Sequence, residues 1–75
     1  MEIIEDTLKK LNGKQLSYCK VANGVISEAI EKENVLLQTE EAGRLRGYLD
    51  CMGDMGILTE VEVKQLYVYF FLNTD

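Results

Sequence analysis

The sequence predicts an all-α fold: a small helical bundle of about four helices, with an antiparallel αα-hairpin at 40–72. Three observations carry that expectation. Apolar residues recur at helical spacing in successive segments. Glycine and asparagine fall near the ends of those segments, where helices stop. The 75 residues include no proline, and 47% are hydrophobic, as in an ordinary globular chain. That length fits a single helical domain, 1–75, and no interdomain linker, internal repeat or low-complexity tract is visible in it.

The first helix is expected over 2–11. Ile4, Leu8 and Leu11 make its apolar stripe and Ile3 widens it. Glu2, Glu5 and Asp6 at its start and Lys9 and Lys10 at its end complement the helix dipole. Asn12-Gly13 supplies the stop. Residues 14–34 admit two readings. Leu16, Cys19, Ala22 or Asn23, Ile26, and Ala29 or Ile30 follow one helical repeat, whereas Asn23-Gly24 between apolar runs is a hairpin signal. The helix formers of 27–33 favour the helix, weakened at Gly24 by roughly 1 kcal/mol relative to alanine.

Asn34 ends that segment, and Val35-Leu36-Leu37 reads as an apolar connector pressed onto the core. Thr39 reads as the N-cap of a third helix over 40–55, with Glu40 and Glu41 at the positive end of its dipole. Its stripe is Ala42, Leu45, Leu49 and Met52, flanked by Tyr48. Glu40 and Arg44, and Arg46 and Asp50, are spaced as i,i+4 ion pairs.

The next junction has the strongest local signals. Gly56 suits the left-handed position that ends a helix, with Ile57 folding back near Met52. Thr59 and Glu62 form a capping box, and Leu58 and Val63 are placed as a hydrophobic staple. So short a link forces helices three and four to lie antiparallel. Helix four is expected over 60–72.

Residues 66–72, Leu-Tyr-Val-Tyr-Phe-Phe-Leu, are apolar around the whole circumference. As a strand they would line up Tyr67, Tyr69 and Phe71, but the upstream cap and Glu62, Lys64 and Gln65 favour a helix. Val63, Leu66, Tyr67 and Phe70 are the expected core face. Val68, Tyr69, Phe71 and Leu72 remain as a partner or dimer interface. Soluble monomers seldom expose such a patch, and a chain this short has few elements to cover it.

Charge is uneven. Residues 1–20 carry three acids and four bases, and residues 21–75 carry ten acids and four bases, a net of −6. The acidic surface is expected at Glu28, Glu31, Glu33, Glu40 and Glu41. A pI near 4.6 argues against a surface built to neutralise phosphates.

Little points to chemistry. The chain has no histidine, so the commonest general base and metal ligand are missing. Cys19 and Cys51 are read as reduced core hydrophobes, too few for a disulfide framework. The run from Asp50 to Glu62 invites comparison with an EF-hand loop. Gly56, Leu58, Thr59 and Glu62 fit, but Cys51, Gly53 and Met55 fall where side-chain oxygens are needed. In length and acidity the chain resembles acyl carrier proteins, which carry an Asp-Ser-Leu attachment site. Here Ser17 and Ser27 lie in Leu-Ser-Tyr and Ile-Ser-Glu. Arg44 and Arg46 each have an acid four residues away and read as solvated pairs. No enzyme, cofactor or metal is expected.

An acidic start without an apolar core, and no stretch of roughly 18 apolar residues, suggest a cytoplasmic protein that does not engage a membrane. The leading expectation is a small acidic protein-interaction module with a protein partner. It is expected to self-associate as a homo-oligomer, or to inhibit by occupying a basic groove, as phage or mobile-element inhibitors do by analogy. The alternative is a dimeric DNA-binding transcriptional or plasmid-maintenance regulator using helices three and four. Nucleic acid is disfavoured, because helix four carries Lys64 as its single base.

Overall fold

A computed structural model describes residues 2–72, with the side chains of 4–71. Four helices pack together: α1 (Glu2–Leu8), α2 (Gly13–Glu31), α3 (Val35–Asp54) and α4 (Glu60–Leu72). The fold is all-helical, with no strand among the described residues. α2 packs along α3, α3 along α4, and α1 against α4.

Each boundary follows from where backbone donors and acceptors find partners. α1 stops at Leu8, short of the expected Leu11. There the chain tightens into bonds from Lys10 N to Thr7 O and from Leu11 N to Leu8 O. Leu11 still enters the core. Asn12 is the N-cap of α2: its side chain accepts from Gln15 N at 2.8 Å, and the Gln15 side chain accepts from Asn12 N at 2.9 Å. The residue expected to stop one helix thus also starts the next.

Asn23 and Gly24 lie inside α2, which rules out the hairpin. The Asn23 side-chain amide donates to the backbone oxygen of Phe70 in α4, a partner that a solvent-facing turn would not have. Cys19, Ala22, Ile26 and Ala29 all bury along one face of the same helix.

α2 ends with bonds from Glu33 N to Ile30 O and from Asn34 N to Ala29 O, the paired closure of a Schellman motif. Glu33 takes the left-handed position at φ 56°. Asn34 then serves a second helix. Its Oδ1 accepts from Leu37 N at 3.1 Å, making it the N-cap of α3. The expected connector and the expected Thr39 cap are therefore both corrected. α3 starts at Val35, five residues before residue 40, and Thr39 lies within it. Val35, Leu36 and Leu37 are not pressed onto the core; they remain 69%, 72% and 37% exposed.

The α3–α4 junction matches its sequence signals. Gly56 has φ 78°, Ile57 N donates to Met52 O, and Gly56 N donates to Gly53 O. Thr59 N donates to Glu62 Oε1 at 2.8 Å and Glu62 N to Thr59 Oγ1 at 3.2 Å. Leu58 and Val63 are both buried. Gly53 permits a close approach of α4, since a Cβ there would sit 3.1 Å from Val63 Cγ2.

The core is one cluster built from α2, α3 and α4 with Leu11 and Leu58 of the turns; it includes Ile26, Leu45, Leu49, Met52, Leu66 and Phe70, and Leu8 of α1 packs half-buried against it. It omits Cys51, which is exposed, contrary to expectation; only Cys19 is a core thiol. The turn between α1 and α2 is fastened to α4 by Lys10 Nζ and Glu62 Oε2, 2.6 Å apart.

Helix length explains which apolar residues stay outside. α2 and α3 have 19 and 20 residues, whereas α4 has 13. These lengths correspond to about 30 Å and about 20 Å. Asn23 lies opposite Phe70, and Thr39, Ala42 and Phe71 line one shallow cleft. The last turns of α2 and the first turn of α3 therefore overhang the described end of α4.

Candidate functional site

Both cysteines are free, Cys19 buried and Cys51 exposed. Burial pushes the Cys19 thiol up to about 11, which keeps it protonated and unreactive. Among the described residues, no three His, Cys, Asp or Glu side chains come together as a metal site. The loop compared with an EF-hand is the α3 C-cap followed by the α4 capping box. The Glu62 carboxyl is held below the usual carboxylate range by the Lys10 ammonium and by Thr59 N–H, so it is a structural anchor.

Every base of residues 21–75 is engaged by an acid three or four residues away along the chain. Lys32 pairs with Glu28 at 2.8 Å, Arg46 with Asp50 at 3.4 Å and Lys64 with Glu60 at 3.7 Å. Arg44 pairs with Glu41 at 3.6 Å, and not with Glu40 as its spacing predicts. The Arg46 guanidinium also lies over the Tyr67 ring, 5.3 Å from its centroid.

The expected interface on α4 is only partly in solvent. Val68 is 51% exposed. Tyr69 is half-buried with its ring edge-on to Phe70, and Phe71 is half-buried against Tyr67. The Leu72 side chain lies outside the described residues. Tyr67, expected in the core, is half-buried as a flank of a shallow cleft with Ala42, Gly43 and Arg46. Val61, one heptad before Val68, adds a second exposed apolar residue to α4.

Among the described residues, more exposed apolar residues lie at the overhanging end than on α4. Val35, Leu36 and Leu37 are consecutive and exposed, and Ile30, 42% exposed, lies across the two-helix turn from them. The acidic residues singled out from the sequence gather at the same end. Glu28, Glu31 and Glu33 come from the close of α2, and Glu40 and Glu41 from the second turn of α3. Glu28 and Glu41 are paired. Among the described residues, Glu31, Glu33 and Glu40 have no base within ion-pair distance.

These four apolar residues were not foreseen as a surface. A signal for the early start of α3 exists: positions 52, 49, 45 and 42 extend backwards at the same spacing to Gln38 and Val35. That periodicity continues the helix into a turn whose apolar residues Val35, Leu36 and Leu37 are exposed.

Compared with family models, with curated proteins and with solved structures, the chain matches none of them. Among the described residues, no helix is long and apolar enough to cross a membrane.

Proposed function

We propose that the chain is a small acidic protein-interaction module whose working surface is the α2–α3 end. The observation that carries this reading is the solvent exposure of Val35 and Leu36 on a well-capped helix. Isolated surface leucines are ordinary, but Val35, Leu36 and Leu37 are all exposed within the first turn of α3, with Ile30 exposed in the last turn of α2, and such a concentration of exposed apolar side chains marks binding sites. The unpaired carboxylates around it favour a protein surface of opposite sign. An inhibitor that occupies a basic groove is the form of function this charge distribution favours.

Photo-reactive side chains placed singly at Leu36 and at Ser17, an exposed site near the other end of α2, provide a test. One defined adduct from position 36, absent from position 17 and lost when Leu37 is changed to Glu, supports the reading. No adduct from position 36, or equal adducts from both sites, sinks it.

Self-association through the outer side of α4 is a second form of the reading, favoured by the half-exposed Val68 and its neighbour Val61. Sedimentation across a wide concentration range checks it. A dimer that Val68→Glu dissociates is the expected result, and a monomer throughout removes it.

A further inference from the structure

We propose that the overhanging α2–α3 end receives a basic amphipathic helix of a partner protein. The inference rests on the interaction-module reading, not on its groove-occupying form, and adds the chemistry of the partner.

The site has an apolar centre and an acidic rim. Ile30, Val35, Leu36 and Leu37 are the exposed apolar residues that flank the α2–α3 turn, and they supply the centre. Residues 28–41 carry five acids and one base, a net of −4, and the base, Lys32, is already paired with Glu28. A complementary segment needs one short apolar stripe flanked by cations. An amphipathic helix supplies that pattern over two or three turns, with anchors at i, i+3 or i+4, and i+7.

The same features reject a second copy and a lipid surface as the occupant. An isologous dimer would set one acidic rim against its equivalent, where like charges repel. An anionic membrane would repel the rim as well.

Glu33 gives a separate argument. It occupies the left-handed position with φ 56°, which glycine adopts without strain and a side chain does not. Gly56 fills the equivalent position at the other junction. The feature Glu33 adds is a carboxylate at the edge of the apolar patch. Backbone strain kept at such a place points to a role for the side chain.

The test uses the full chain, isotopically labelled for NMR, and a synthetic Leu/Lys amphipathic helical peptide of about four turns. A scrambled peptide of identical composition is the control, and circular dichroism confirms that each variant stays folded. The expected result is shift changes centred on 30–41. Binding should weaken about tenfold for the scrambled peptide and by a similar factor for Leu36→Ala. Glu33→Gln should lose several-fold, and added salt should weaken binding further.

Shifts spread over all acidic residues, with Leu36→Ala indifferent, would reduce the site to non-specific charge and overturn the proposal. Shifts confined to α4 would also overturn it. Concentration-dependent shifts at 30–41 without peptide would make a second copy the occupant, leaving the module reading intact. A peptide that fails to bind while position 36 still gives its adduct rejects only the partner chemistry. Failure of both rejects the module reading too.

Discussion

The two inter-helix junctions solve one backbone problem in the same way and meet opposite solvent fates. At 32–34 and at 55–59 a helix closes with paired Schellman bonds, and a polar side chain caps the next helix. After Gly56 the chain buries Leu58 against α4 and half-buries Ile57. After Glu33 it leaves Val35 and Leu36 in water. The difference does not lie in the caps. At the α3–α4 turn the other elements reach the junction and cover it, whereas the α2–α3 turn extends past the described end of α4. Local hydrogen bonding decides where a helix begins; the reach of its neighbours decides which of its side chains are buried.

The largest expected effect breaks the comparison at its apolar residues. Leu58→Ala should destabilise the fold by about 2–5 kcal/mol, the scale for emptying a buried leucine site. Leu36→Ala should change stability by no more than about 0.5 kcal/mol. Urea unfolding of the two variants checks the pair. Equal losses would mean that the tip is covered in solution.

The left-handed residues come next. Gly56→Ala should cost about 1–2 kcal/mol, because a Cβ is strained at φ 78°. Glu33→Gly should instead raise stability by about 0.5–1 kcal/mol, because it relieves the same strain at φ 56°. Opposite shifts of the thermal midpoint are expected.

The caps should behave alike. Thr59→Ala and Asn34→Ala each remove an acceptor for a helix N-terminal N–H, at about 1 kcal/mol. A clearly larger loss for Thr59 would show that burial around the α4 start amplifies its cap.

The smallest effect is in acid. Glu62 has its pKa lowered by Lys10 and by Thr59 N–H. Its contribution is therefore complete above the unfolded carboxylate value, near pH 4.3, and is lost as pH falls through the lower folded value. Glu62→Gln retains a capping side chain but loses the Lys10 pair. The gap between variant and parent in urea midpoint should narrow from pH 7 to pH 3.

These junctions also show how far the sequence could be read. The α3–α4 turn was legible because Gly56, Thr59 and Glu62 each carry a signal tied to one backbone position. The α2–α3 turn was not, because glutamate is no marker of a left-handed residue and Asn34 serves two helices at once. Thr39-Glu40-Glu41 imitated a helix start, and three consecutive apolar residues looked like core. The acidic residues were legible as a set from charge counting, and their gathering at one end follows from the early α3 start. The exposed apolar centre was not legible, since it depends on the relative reach of helices that adjoin only in three dimensions.

The amide of Asn23 has a consequence at a distance. Smooth apolar helix faces can slide along one another by a turn at small cost, since one leucine contact replaces another. A directional bond from Asn23 to the Phe70 backbone oxygen has no equivalent one turn away. It fixes the axial register of α2 against α4, and with it how far the hairpin tip projects. Asn23 thus sets the size of a surface in which it takes no part.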